Sequence, residues 1–103
     1  MGRPWQLSTG ARYDPIADGW TPTPTEWSAF PRQDHVAAWT GQAMMIWGGT
    51  STASLDSGGL YQPSSNTWSP TSTSGAPSPR GQATAVWTGS RVIVWGGFDG
   101  SRQ

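Results

Sequence analysis

Cysteine is absent from this 103-residue chain, which excludes disulfides, thiolate metal sites and a cysteine nucleophile. Lysine is absent too. The six basic residues are all Arg, scattered among six acidic ones at a formal net charge of zero, so no basic stripe exists to follow a phosphate backbone. Nucleic acid is not expected as a partner. No apolar run approaches the length of a membrane span, and the opening MGRPWQLSTG lacks the apolar stretch of a signal peptide, so neither is expected. Leu, Ile, Val and Phe are scarce beside 14 Gly and 9 Pro, a balance that alone would suit disorder. Against that stand eight Trp. Each indole buries a large area and needs a defined partner, so a chain this rich in Trp is expected to be packed.

The chain repeats itself. An offset of 48 residues superimposes its landmarks without a gap: Gly10, Tyr13, Pro15 and Trp20 fall on Gly58, Tyr61, Pro63 and Trp68. Pro31-Arg32 falls on Pro79-Arg80, Trp39-Thr40-Gly41 on Trp87-Thr88-Gly89, and Trp47-Gly48-Gly49 on Trp95-Gly96-Gly97. About one third of the comparable positions are identical, a degree of divergence that reads as natural.

Each period holds four short strands. HVAAW (35–39) and AMMIW (43–47) are apolar, both expected to be buried, and joined by the turn Thr40-Gly41-Gln42. After Gly48-Gly49 a polar loop (50–57) leads to a third strand, 58–62, and a fourth, about 67–71, around the turn Pro63-Ser64-Ser65-Asn66. The second period supplies 82–87 and 91–95, the latter rich in β-branched residues.

A hairpin, a double glycine after its second strand, a Tyr-x-Pro turn and a Trp seven residues beyond the Tyr together resemble the kelch repeat of β-propellers. Trp47-Gly48-Gly49 and Trp95-Gly96-Gly97 match the double glycine; Tyr13 with Trp20, and Tyr61 with Trp68, match the aromatic pair. The resemblance implies an all-β propeller of four-stranded blades, in which these residues, with Trp39 and Trp87, are architectural. It does not imply catalysis: most such propellers are binding platforms, and the copper site of the galactose oxidase type needs a Tyr–Cys cross-link that a cysteine-free chain cannot form.

The phase of the repeat carries a further expectation. With strands lettered A to D from the inner edge outward, a tail (1–9) is followed by a C-D half blade (10–24), a complete blade (25–72) and an A-B half blade (73–103). The two half blades have complementary open edges that two blades cannot bring together within one chain. Head-to-tail association of identical chains would join them and close a ring. A tetramer of eight blades is preferred over a trimer of six. The alternative is an excised piece of a longer kelch propeller, enzyme or adaptor, with a channel-centred site.

Positions that break the repeat are the place to look for grafted function. Trp27 and Phe30, with Arg32 and Asp34 nearby, suit an aromatic platform for a glycan or protein ligand, or else simply cover a seam between blades. His35 is the sole histidine and invites a metal or catalytic role. Its counterpart is Ala83, and propeller channels are too wide for histidines from separate chains to share a metal, so no metal is assigned. Arg32 and Arg80 recur at one position after Pro and are expected to satisfy loop carbonyls, though a ring of Arg would also attract an anion. With one His and no Gly-x-Ser-x-Gly elbow there is no triad. No enzyme activity and no cofactor are expected.

Overall fold

A computed structural model describes residues 6–26, 28–29 and 31–99. Among them the protein is all-β, with eight strands in three antiparallel sheets. Strands β1 (Ala11–Asp14) and β2 (Gly19–Pro22) form a hairpin. A four-stranded sheet follows in sequence order, β3 (Val36–Trp39), β4 (Met44–Trp47), β5 (Gly58–Gln62) and β6 (Thr67–Pro70). A second hairpin is made by β7 (Thr84–Trp87) and β8 (Val92–Trp95). The sets of strands are those expected from the sequence, with β3, β4, β7 and β8 starting one or two residues later. At β3 and β7 the reason is local: Asp34 and Gln82, just ahead of them, lie at φ 61 and 58, outside strand geometry.

The 48-residue offset is written into the backbone. Every left-handed residue from Asp18 to Gly49 has its counterpart one repeat on: Asp18 with Asn66, Asp34 with Gln82, Gly41 with Gly89, Gly48 with Gly96, Gly49 with Gly97. Asp and Asn tolerate this region because a short polar side chain hydrogen-bonds locally. Tyr13 donates its phenol proton to Asp18 Oδ1 (2.5 Å), and Tyr61 donates to Asn66 Oδ1. Each Tyr also tilts against the Trp opposite it, Tyr13 on Trp20 at 5.0 Å and Tyr61 on Trp68 at 5.2 Å, both at 50°. The inner hairpins close alike, with Thr40 N–H donating to Ala43 O (2.9 Å) and Thr88 N–H to Arg91 O (2.8 Å).

Strand β7 packs beside β3, setting the second hairpin against one face of the four-stranded sheet. Alternation decides what this contact covers. On β7 and β8, Ala85, Trp87, Val92 and Val94 are half-buried, whereas Thr84, Val86, Ile93 and Trp95 face outward. The buried apolar side chains described are few, Val36, Ala43, Trp47 and Tyr61, and all belong to the four-stranded sheet or its hairpin turn. The expectation that both inner strands are buried therefore needs correcting: Trp39, Ala37 and Ile46 look across a recess rather than into a core.

Candidate functional site

Four segments converge at one end of the sheets. Gln33 and Thr50 exchange backbone hydrogen bonds (3.0 and 2.8 Å), and Gly81 and Phe98 repeat the exchange (both 2.9 Å). Between them Arg80 N–H donates to Leu55 O (3.1 Å), Gly49 N–H to Arg80 O (2.8 Å) and Gln82 N–H to Asp34 O (2.8 Å). Loops entering the inner strands and loops leaving β4 and β8 thus share one face. Gly48 and Gly49 make this crossing tight: a Cβ on Gly48 would lie 2.7 Å from the Arg80 carbonyl oxygen.

Arg32 is buried here. Its Nη1 donates to Gly48 O (2.9 Å) and Ser57 O (2.6 Å), and Nη2 to Ser57 Oγ (3.2 Å). Burial pushes the guanidinium below its ordinary value, and several carbonyl acceptors around one planar cation offset that cost. Arg80 makes the equivalent bond to Gly96 O (3.0 Å), but its other donors turn back to Ser78 O and Ser78 Oγ (3.0 and 2.8 Å). Arg32→Met should strand buried acceptors and lower stability by roughly 3 kcal/mol, with a clearly smaller loss for Arg80→Met, as read from urea midpoints.

His35 and Asp34 are exposed at the mouth of the same end. The imidazole is held below its ordinary 6.5, first by partial burial and then by the Arg32 charge, with Asp34 opposing. The folded chain therefore disfavours the proton that the unfolded chain accepts near pH 6.5. Stability is full above that pH and declines as pH falls through it. The urea midpoint should be lower at pH 5 than at pH 7.5, and His35→Gln should shrink that difference. Among the described residues no three His, Asp or Glu side chains group to hold a metal. Trp27 and Phe30, the expected aromatic platform, lie outside the described residues.

A recess of about 610 Å³ separates the first hairpin from the four-stranded sheet. Ala37, Trp39, Met44 and Ile46 form its apolar wall, Gly10 and Ala11 its far side, and Arg32 and His35 reach it as well. The first hairpin is tied across this gap by Arg12 Nη1, which donates to Pro63 O (2.6 Å), and the segment leading into it by buried Gln6, whose Nε2 donates to Thr50 O (3.0 Å). Arg80 instead lines a smaller polar recess of about 180 Å³ with Ser78, Phe98 and Asp99.

Residues equivalent by repeat differ sharply in exposure. Trp47 is 4% exposed and Trp95 76%; Tyr61 is 4% exposed and Tyr13 45%. Among the described residues, neither the outer face of β8 nor the outer edge of β1 has the cover that the complete sheet gives its counterparts. Sequence reasoning missed Gln6, Arg12 and Ser57 as anchoring residues, because none belongs to a repeated motif. The exposed row of Val86, Ile93 and Trp95 was not readable: residues 92–95 are apolar throughout, so alternation puts these side chains on one face without saying that the face is open. In comparisons with known proteins, no family model and no curated sequence matches this chain.

Proposed function

We propose that the chain is a non-catalytic, kelch-like propeller module whose copies associate head to tail into a closed ring, its loop face serving as a platform for a glycan or protein ligand. The observation that carries this reading is the exposure contrast between equivalent residues. Trp95 and Tyr13 are the chemical equals of Trp47 and Tyr61, yet they lie open where the latter are buried. Exposed apolar surface of this kind, beside strand edges with no partner among the described residues, marks a face that is covered by association. The second hairpin presents the apolar side that the recess lacks, so one copy supplies what the next is missing.

A head-to-tail contact of this type closes into a cyclic oligomer with an even number of four-stranded units. Four chains and eight blades is the preferred size, three and six the alternative, within the usual range of about four to eight blades. The convergence of loops around Leu55, Arg80 and Phe98 supports ligand binding at that end, and the reading requires neither cofactor nor metal. Native mass spectrometry and light scattering test it. A single species at four, or three, times the 11.0 kDa chain is expected. A stable 11.0 kDa monomer at micromolar concentration would overturn it.

A further inference from the structure

We infer that β8 of one copy adds to the free edge of β1 of the next in the register that β4 and β5 already use, placing Val92 opposite Tyr13, Ile93 opposite Arg12, Val94 opposite Ala11 and Trp95 opposite Gly10. The inference rests on the head-to-tail reading and adds to it the atoms of the joint. Its template is the pairing of Met44 with Tyr61, Met45 with Leu60, Ile46 with Gly59 and Trp47 with Gly58, moved by one repeat.

Three observations support the transfer. First, the N-terminal segment already sits where the repeat requires. Gln6 Nε2 donates to Ser51 O (3.5 Å), and one repeat on, Ser54 Oγ donates to Asp99 O (3.2 Å). The first hairpin therefore stands to the four-stranded sheet as that sheet's outer half stands to β7 and β8. The recess between them has the place of an inner hairpin.

Second, donors and acceptors match across the two ends. In the complete sheet Ser57 O accepts from Gly48 N–H (3.0 Å) and from Arg32, while Asp56 O accepts from Trp47 Nε1 (3.1 Å). The counterparts are Gly96 N–H and Arg80 as donors to the carbonyl of Thr9, and Trp95 Nε1 as donor to the carbonyl of Ser8. These lie at opposite ends of one chain and meet only between copies.

Third, sterics agree. A Cβ at Gly58 would collide with the Ile46 carbonyl oxygen, so β4 and β5 approach closely at that point, whereas among the described residues a Cβ at Gly10 meets only Thr23 Oγ1, at 3.6 Å. Gly10 leaves the same opening for the Val94 carbonyl of a second copy. In this register Val86, Ile93 and Trp95 lie over the wall formed by Ala37, Trp39, Met44 and Ile46 of the receiving chain. A slip of one residue would turn them to the opposite side.

The absence of cysteine makes the register directly testable. Because Gly48 and Ser57 are hydrogen-bonded opposite each other, alternation makes Met45–Leu60 a close, non-hydrogen-bonded pair, and Ile93–Arg12 inherits that geometry. Cβ atoms roughly 5 Å apart in such pairs are near disulfide reach. Ile93→Cys chains are mixed with Arg12→Cys chains, assembled, and oxidised. A covalent dimer is expected, formed at least roughly tenfold faster than with Asp14→Cys chains, whose thiol lies one full pleat away. Faster cross-linking to Asp14→Cys would overturn the register. An intact oligomer that cross-links to neither overturns strand addition while sparing the ring. A monomeric parent chain overturns the ring reading itself and leaves the edge to some other occupant.

Discussion

A Gly58→Ala chain is expected to lose most of its folded population, while Gly10→Ala, the same change one repeat earlier, folds normally and fails to assemble. At Gly58 the added methyl meets the Ile46 carbonyl oxygen and lies 2.9 Å from Trp47 Cα. Both are backbone atoms held in the β4–β5 ladder, so no side chain can swing aside and the strands must part. Overpacking of this kind costs roughly 1–3 kcal/mol or more, and here it also breaks ladder hydrogen bonds. A small domain has about 5 kcal/mol to lose, and the buried apolar side chains among the described residues all come from one sheet and its hairpin turn. At Gly10, among the described residues, an added methyl group meets Thr23 Oγ1 at 3.6 Å, an ordinary contact that opposes nothing. Circular dichroism melts should show Gly58→Ala unfolded or strongly destabilised and Gly10→Ala close to the parent. Light scattering should then find Gly10→Ala monomeric, because the second copy's Val94 carbonyl would occupy the position of that of Ile46. A Gly10→Ala chain that assembles like the parent would refute the use of this edge.

Trp95→Ala should separate association from folding in the same way. Trp95 is 76% exposed in the single chain, so its removal leaves little cavity there and costs the fold little. Covered by a second copy it becomes a central anchor, where truncation of a Trp costs about 2 kcal/mol or more, a weakening of roughly 30-fold or greater at each joint. Sedimentation velocity across a dilution series should show the variant dissociating at concentrations where the parent is intact. The reciprocal change, Trp47→Ala, removes an indole that is 4% exposed and should unfold the chain at a cost of roughly 3–5 kcal/mol. Equal effects of the two substitutions on monomer stability would contradict the distinction drawn between them.

Much of the fold was legible in the residues. Strand pairs announced themselves as apolar runs flanking Thr-Gly turns, and the offset that aligned Trp with Trp also aligns the left-handed positions. Asn66 was readable as a turn residue. Gln82 was not, since nothing in a Gln marks a left-handed residue, and Asp34, an Asp like many others, was not singled out as one; their backbones are joined at the crossing between adjacent sheets, a tertiary demand. The repeated Arg was singled out by its position, but Ser57, its acceptor, was hidden in a polar loop. Exposure was misjudged for Trp39, because an apolar strand reads the same whether or not its partner sheet is present. The recess itself had no signature in the sequence: it is bounded by residues from five of the eight strands and from the loops joining them.

The split sheet also bears on inheritance. In a ring joined as inferred here, β7 and β8 of one copy complete a sheet whose other half belongs to its neighbour, so a faulty chain spoils structure it does not encode alone. Were normal and Trp95-substituted chains produced in equal amounts and mixed freely, the share of wholly normal rings would be one half raised to the number of chains. A defect of this sort would behave as dominant, and the larger the ring, the more severe the interference.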